Sequence, residues 1–382
     1  MRIPPFLLDQ WIATYEFASP PIRYNLAAST GPGWTLGELL ALGDGAGVNG
    51  LGDLRLSYAP PQGTAALREQ VAALHDVDPD WVVITTGASE ALSALYCLAA
   101  EPGASITLPF PSFPAMPVMA RAWGLNVATY ALDRANGFGQ SAERVLAAVG
   151  ESTRLALVNT PHNPTGSVMP RAEIARLAAN LEQRLIPLVV DEVYHPLYHG
   201  APAVASAATL PNTIVLSDLS KALSLPGLRI GWLIDRDARR RERLINLRSY
   251  FTISCSPLTE AIAAHALANR EAILARLRAV ATTNLATLRD FMSDHREIFD
   301  WVVPTGGTTA FPWLRDGSNA RELCARLASA GVLLAPGDCF DAPEHFRLGF
   351  GAQAEGFARA LEIVSDTVRA PRPVSVAAGA QR

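Results

Sequence analysis

The sequence predicts an α/β fold built on a mostly parallel, seven-stranded sheet. Short apolar runs recur between residues 80 and 235, and most of them are rich in β-branched residues. Several lack polar alternation, which is typical of strands buried on both faces. Stretches with helical spacing separate many of the runs, and this alternation favours a parallel sheet. The runs are 81–85, 105–108, 126–130, 154–158, 186–190, 213–217 and 230–234.

The 382-residue chain is long enough for two domains. After residue 255 the pattern changes, and a long helical region (256–290) leads into a compact α+β segment. We expect residues 46–284 to form the large domain, and residues 1–45 and 285–370 to form a smaller domain wrapped around it. The composition of residues 371–382 predicts a loose tail.

Charge and composition argue against several classes of protein. The net charge is −4, without basic runs, so nucleic acid is not an expected partner. No apolar stretch approaches the roughly 20 residues of a membrane span, and the N-terminus lacks the pattern of a signal peptide. The four cysteines are scattered without a CxxC pair. They are typical of reduced thiols in a cytoplasmic protein, and we expect no metal site.

A glycine-rich stretch, Gly45-Ala-Gly47-Val-Asn-Gly50, matches the pattern G-x-G-x-x-G. The dinucleotide-binding fingerprint requires a strand before these glycines and a helix directly after them. Here a helical pattern precedes the glycines and no helix opens after them, so the sequence predicts a plain loop.

Lys221 is the only lysine among 32 basic residues. It is either an ordinary surface lysine or, as we favour, an amine that must lose its proton, which arginine cannot do. It follows the run 213–217, beyond a strand end, where ligands of open α/β sheets bind. Arg229 comes eight residues later. Together they suit a phosphorylated aldehyde cofactor, because the amine can form an imine while the guanidinium binds the phosphate.

Asp191 ends the apolar run 186–190, which predicts a central strand. A carboxylate at such a position is costly unless it is paired. Its partner is either a protonated pyridine nitrogen of a cofactor or a buried arginine. Tyr194, three residues later, can return its phenol to the same crevice.

Three loops that follow strands supply further candidates. Ala88 and Ser89 open a helix whose free N–H groups can bind an anion, although Ser89 is also a simple helix cap. Phe113 can stack on an aromatic ring or pack in the core. Asn163, in NTPHNPTG, can donate its amide to a cofactor oxygen or cap the turn.

Arg347 lies between Phe346 and Leu348 in a short predicted strand, HFRLGFG. An arginine between two apolar residues requires a carboxylate. That carboxylate belongs either to the protein or to a substrate, and we favour the substrate.

Taken together, these motifs resemble the class I/II aminotransferases, which are pyridoxal-phosphate enzymes of fold type I. The resemblance covers residues 20–366, with the motifs in the family's order. It implies a large cofactor-binding domain with a smaller α+β domain, and pyridoxal 5′-phosphate as cofactor. It also implies a homodimer with sites at the subunit interface.

The resemblance implies a role for each candidate. Lys221 would hold the cofactor as a Schiff base, and Asp191 would pair with the ring nitrogen. Asn163 and Tyr194 would bind the phenolic oxygen of the ring, and Phe113 would stack on the ring face. Arg347, with Asn163, would bind the substrate carboxylate. The phosphate would be held by Ala88, Ser89, Ser220 and Arg229, with Tyr58 of the partner subunit.

One position departs from the family pattern. Asp218 stands three residues before Lys221, where the family often has a phosphate-binding serine. Because a carboxylate would be repelled by phosphate, either Asp218 turns away or Ser217 takes over the contact. No phosphate role is assigned to Asp218.

A narrower likeness bears on the reaction. The segments LSKALSLPGLRIGW, LLDQWIATYEF and RSYFTISCSPLTEAI resemble the branch containing capreomycidine synthase, which cyclises hydroxyarginine on the same cofactor. We expect an aminotransferase acting on an L-amino acid and a 2-oxo acid. The alternative is a lyase or cyclase that combines elimination with ring closure. A non-catalytic regulator is disfavoured because Lys221, Asp191 and Arg347 are all present.

Overall fold

The computed structural model describes residues 3–43, 50–200 and 203–370. The loop predicted at residues 45–50 therefore lies outside the described residues except for Gly50, and the tail predicted at residues 371–382 lies outside them entirely.

Strands and α-helices alternate along the chain from residue 82 to residue 191, and two further strands, at residues 213–218 and 231–235, follow before the next α-helix. The strands are β1 (Tyr24–Asn25), β2 (Val82–Thr85), β3 (Ser105–Phe110), β4 (Asn126–Ala131), β5 (Thr153–Asn159), β6 (Leu188–Asp191), β7 (Thr213–Asp218), β8 (Gly231–Asp235), β9 (Phe299–Asp300), β10 (Thr309–Ala310), β11 (Trp313–Leu314), β12 (Val332–Leu333), β13 (Ala335–Pro336) and β14 (Phe346–Gly349). The helices are α1 (Leu7–Glu16), α2 (Leu36–Leu40), α3 (Ala65–His75), α4 (Ala88–Ala99), α5 (Ala115–Ala122), α6 (Ala142–Ala147), α7 (Arg171–Glu182), α8 (Ala238–Arg248), α9 (Pro257–Ala268), α10 (Arg270–Asp294), α11 (Ala320–Ser329) and α12 (Phe357–Arg369).

A seven-stranded sheet has the order β2-β8-β7-β6-β5-β3-β4. Strands β7, β6, β5, β3 and β4 pair in parallel, and β8 is antiparallel to both of its neighbours. Each of the seven apolar runs forms one of these strands, so the predicted mostly parallel sheet is confirmed. The strand that Asp191 ends, β6, lies at the middle of the sheet, as predicted.

Both faces of this sheet are covered, which explains why its strands lack polar alternation. In β6, Leu188 and Val190 belong to the core that packs against α3, α6, α7 and α9. Val189, between them, belongs to the core on the opposite face, with α4, α5 and α8. Successive residues of a strand point to opposite faces of the sheet. Whether a polar residue at a strand end lies on one face or the other therefore depends on its position along the strand.

Three small sheets lie outside the central one. They are the parallel pair β1-β12, the antiparallel set β10-β14-β13 and the antiparallel pair β11-β9. The chain after β1 is attached to β14, since the N–H of Gly349 donates to the carbonyl of Leu26 at 2.7 Å. This smaller α+β part accompanies the large sheet as the fold class predicted. The limits given for the two domains stay a prediction.

Within the described ranges, every helix is too short or too polar to cross a membrane.

Candidate active site

A cavity of about 210 Å³ lies beyond the carboxyl ends of β5, β6 and β7. This is the edge of a parallel sheet at which ligands bind. The predicted site residues that line it are Ala88, Ser89, Phe113, Asn163, Asp191, Tyr194, Ser220, Lys221 and Arg229. These side chains come from separate strand ends and loops, so the topology of the sheet brings them together.

Ser217 is not brought to the cavity. Asp191, Leu216 and Asp218 line it, whereas the Ser217 hydroxyl donates a hydrogen bond of 3.1 Å to the carbonyl of Glu192. The cause is strand parity, since neighbours along β7 point to opposite faces. The prediction that Ser217 binds the cofactor is therefore corrected, and neither of the two alternatives given for Asp218 is met, because Asp218 lines the cavity and Ser217 does not.

Lys221 lies in a turn directly after β7, and its Nζ donates a hydrogen bond of 3.0 Å to the hydroxyl of Ser29. Burial lowers the pKa of the amine to about 8. The negative charge of Asp218 opposes this shift, and the positive charge of Arg347 adds to it. The amine can therefore lose its proton near neutral pH.

Asp191 is buried at the end of β6 and accepts a hydrogen bond of 3.1 Å from the backbone N–H of Val193. Burial raises the pKa of its carboxyl group to about 7, which the Val193 N–H opposes and the charge of Asp218 reinforces. A cationic partner would hold this carboxyl group in its charged form.

Sequence reasoning missed Asn159, the last residue of β5. Its side-chain oxygen accepts from the Asn163 N–H at 2.7 Å, and its Nδ2 donates to the Asp191 carbonyl at 3.2 Å. One amide thus fixes the distance between two predicted site residues. The sequence feature that could have identified Asn159 as a site residue is its position at the end of a buried strand.

Arg347 is 2% exposed, on β14. Its Nη1 donates to Oδ1 of Asn163 at 3.1 Å and its Nη2 donates to the Ala27 carbonyl at 2.7 Å, while Nε has no hydrogen-bond partner. The guanidinium also lies over the ring of Phe340, with its central carbon 5.2 Å from the ring centroid. Its direct partners are thus an amide, a carbonyl and a ring, and its charge is left for an anion.

The N-terminus of α4 and Arg229 also line the cavity. A Cβ added to Gly87, whose φ is +78°, would lie 2.7 Å from Nη2 of Arg229. Asp218 is tied to the same place, because its Oδ1 accepts from the Ser220 N–H at 2.8 Å and its Oδ2 from the Ala88 N–H at 3.5 Å. The carboxylate of Asp218 therefore lies beside the helix N-terminus that was predicted to bind an anion.

Two aromatic candidates differ in position. Phe113 is half-buried at the cavity wall, with the ring of Phe6 edge-on at 5.7 Å. Tyr58 is 79% exposed on another part of the surface, beside Leu56 and Pro257. Its role toward a partner subunit stays a prediction.

A buried polar cluster on the opposite face of the sheet was also missed by sequence reasoning. Ligand atoms of His75, Glu192 and His195 lie within 4.8 Å of one another. The two ring nitrogens of His75 already contact Ser206 Oγ at 2.9 Å and Trp232 Nε1 at 3.0 Å. The cluster is therefore a hydrogen-bonded network that fixes the chain directly after Asp191.

The family model for class I and II aminotransferases matches residues 44–364. The chain belongs to this family. Capreomycidine synthase of Streptomyces vinaceus is 32% identical over 371 residues, which cover 95% of this chain and 94% of that protein.

Two solved structures extend the comparison. A PLP-dependent aminotransferase from Streptococcus suis has a TM-score of 0.88 and 26% identity, covering 97% of this chain and 98% of that one. The PLP-dependent cyclase OrfR has a TM-score of 0.87 and 26% identity, with the same coverage. The predicted family and fold type are confirmed, and relatives with both kinds of activity share the fold.

The cofactor of this aminotransferase fold is pyridoxal phosphate, and the cavity fits it. The Tyr194 hydroxyl is buried without a hydrogen-bond partner, and burial raises its pKa, an effect that the charge of Arg347 and the Ser29 hydroxyl oppose. A buried phenol in this state is available to a ligand. The amine of Lys221 and the carboxyl group of Asp191 line the same cavity.

Proposed function

We propose that this enzyme is an aminotransferase that moves an amino group between an L-amino acid and a 2-oxo acid. The observation that carries the proposal is one cavity lined by the chain's only lysine, by Asp191 and by Tyr194. Arg347 is not among the lining residues, but it is hydrogen-bonded to Asn163, which is. When bound, pyridoxal phosphate supplies an aldehyde for the amine and a ring that takes up electrons as the α-proton leaves.

In this proposal four side chains hold the ring. Phe113 stacks on it, and the Asp191 carboxylate pairs with its protonated nitrogen. Tyr194 and Asn163 bind its phenolic oxygen. Since Asn163 Oδ1 already accepts from Arg347, its Nδ2 remains as the donor.

The phosphate is bound by the N-terminus of α4, at Ala88 and Ser89, together with Ser220 and Arg229. Free N–H groups and an arginine provide the hydrogen bonds that a phosphate requires. Asp218 shares two of the backbone donors, Ala88 and Ser220, so its carboxylate competes with the phosphate for them.

Lys221 is the proposed base. Its Nζ takes the α-proton from the substrate and later releases it. A pKa of about 8 suits both steps at neutral pH, because a base with a pKa near the working pH can both accept and release a proton. The substrate α-carboxylate is held by Arg347, with Asn163 beside it.

We also propose that the enzyme is a homodimer in which Tyr58 reaches the site of the partner subunit. Tyr58 and neighbouring Leu56 are 79% and 80% exposed, and such apolar exposure supports a subunit contact. The four cysteines are free thiols, which supports a cytoplasmic location.

The test is a half-reaction. The purified holoenzyme is incubated with single L-amino acids in the absence of any 2-oxo acid. We expect an accepted donor to convert bound pyridoxal phosphate stoichiometrically into pyridoxamine phosphate and to yield its 2-oxo acid. Lys221→Ala should show neither product nor the visible absorbance of the lysine-bound cofactor. Full activity in Lys221→Ala would refute the proposal.

A second candidate is a lyase or cyclase on the same cofactor, and it is favoured by the 95% coverage of this chain by capreomycidine synthase. Removal of the α-proton by Lys221 is common to both candidates. They differ in the product, since a lyase releases ammonia or a cyclic amino acid and does not accumulate pyridoxamine phosphate. Mass spectrometry of the half-reaction distinguishes them.

A further inference from the structure

Ser29 touches the amine of Lys221, although no motif marks it. It lies 192 positions earlier in the chain, in the segment after β1, and is 7% exposed. Its Oγ accepts the 3.0 Å hydrogen bond from Nζ. In the proposed function Lys221 moves the α-proton as an amine, and this hydrogen bond is one that its Nζ can make in that role.

The backbone around Ser29 is fixed from several directions. Asn25 Oδ1 accepts from the N–H groups of Ala27 and Ala28, both at 3.1 Å. The Ser29 carbonyl accepts from the Thr308 hydroxyl at 3.0 Å, and the Ala27 carbonyl accepts from Arg347 at 2.7 Å. The hydroxyl of Ser29 is consequently presented to the amine by a rigid segment.

The Ser29 hydroxyl can make a second hydrogen bond. It accepts from Nζ, so its own hydrogen remains to be donated. The Tyr194 phenol is buried without a hydrogen-bond partner, and Ser29 is one of the groups that oppose the rise in its pKa caused by burial. A hydroxyl is suited to this place because it donates and accepts at one atom.

We infer that Ser29 is a positioning residue for Lys221 and that its hydroxyl holds the amine in the cavity. The inference rests on the proposed function only in taking Lys221 as the amine that moves the α-proton. When Nζ accepts that proton it becomes an ammonium, and one of its three N–H bonds points to Ser29 Oγ. The side chain is thereby kept oriented until the proton is released.

Because the chain contains one lysine, protein labelled with side-chain ¹⁵N-lysine gives a single Nζ signal. The protein is charged with pyridoxamine phosphate, which has no aldehyde, so Lys221 stays free. Titration of the signal then gives the pKa of Lys221. We expect Ser29→Ala to lower this pKa by about one pH unit, since an acceptor for the charged form is lost.

Matched variants separate this effect from general damage. Ser29→Thr keeps a hydroxyl and should restore the pKa, whereas Ser29→Cys keeps the volume with a poor acceptor and should behave like Ser29→Ala. Thr30→Ala, at the neighbouring position, should leave the pKa unchanged. If Lys221 in either Ser29→Ala or Ser29→Cys titrates as it does in the natural protein, the inference is wrong. The test can be carried out as long as one of these two variants folds.

The second measurement is a half-reaction with α-deuterated amino acid. Ser29→Ala should slow α-proton removal about tenfold to a hundredfold, which is the worth of a hydrogen bond to a charged group. The isotope effect should increase while KM stays within a factor of about two. An unchanged rate and isotope effect would overturn the inference. The titration needs no turnover, so it decides on Ser29 even if the enzyme proves to be a cyclase.

Discussion

Nη1 of Arg347 donates a 3.1 Å hydrogen bond to Oδ1 of Asn163, which joins β14 to the loop after β5 across 184 positions of sequence. This bond fixes the orientation of the Asn163 amide, so that Nδ2 remains for a cofactor oxygen. The residue proposed for the substrate carboxylate thus also positions a residue proposed for the cofactor. Small changes at either side chain are expected to affect both.

Arg347→Gln should reduce kcat/KM for the amino-acid donor by roughly a hundredfold or more. The physical reason is that each charge-assisted hydrogen bond to a carboxylate is worth about 1.5–3 kcal/mol. The affinity for pyridoxal phosphate should fall much less, because the ring and phosphate contacts remain. Steady-state kinetics and cofactor titration measure the two effects. Arg359→Gln, an exposed arginine paired with Glu362, is the control and should be unaffected. Equal losses in both variants would contradict the role of Arg347.

Asp191→Asn tests the pH dependence of stability in the cofactor-free protein. The folded pKa of Asp191, about 7, lies above its ordinary value of 3.8 because of burial. Between these values the folded protein retains a proton that the unfolded chain has released, so stability falls as pH rises from about 4 to about 7. Asparagine has no such proton. Between pH 5 and pH 7 the natural protein should therefore lose about 2–3 kcal/mol relative to Asp191→Asn.

Urea unfolding at several pH values measures this difference. The exposed Asp290→Asn serves as control, and its stability should run parallel to that of the natural protein. If Asp191→Asn also runs parallel to the natural protein, the carboxyl group is not held protonated by burial.

The large sheet could be predicted because its strands are buried on both faces and therefore read as uninterrupted apolar runs. The smaller sheets could not, since strands such as β9 and β12 have two residues each and two residues carry no periodicity. Asp191 and Lys221 were predicted to share a cavity because the carboxyl ends of parallel strands meet at one edge.

The positions that escaped prediction depend on register and on long-range contacts. Ser217 was predicted to bind the cofactor, yet Asp218 lines the cavity in its place, because neighbouring residues of a strand point to opposite faces. Ser29 meets Lys221 through the packing of the segment after β1 against β14, which leaves no local pattern in the sequence.

Ser206→Ala tests the buried network behind Asp191. The Ser206 hydroxyl donates to Glu192 Oε2 at 2.7 Å and contacts His75 Nδ1 at 2.9 Å. Its removal leaves both buried groups without that partner, and we expect the free energy of unfolding to fall by about 1–3 kcal/mol. Ser249→Ala, whose hydroxyl is exposed, should cost less than about 0.5 kcal/mol. Chemical denaturation compares the two. A cost for Ser206→Ala as small as that for Ser249→Ala would mean that the network does not stabilise the fold.

Gly231→Ala tests the contact between β8 and the start of α4. An added Cβ at Gly231 would lie 2.5 Å from the carbonyl carbon of Gly87 and 2.7 Å from the backbone nitrogen of Ala88. Both are backbone atoms, so the N-terminus of α4 must shift. We expect a loss of about 1–3 kcal/mol in stability and weaker binding of pyridoxal phosphate, because the N–H groups proposed for its phosphate would move with the helix. Denaturation and cofactor titration measure these effects.

Gly150→Ala, where the added Cβ meets no atom within 4 Å, should retain the affinity for pyridoxal phosphate. Unchanged affinity in Gly231→Ala would show that the start of α4 does not bind the cofactor.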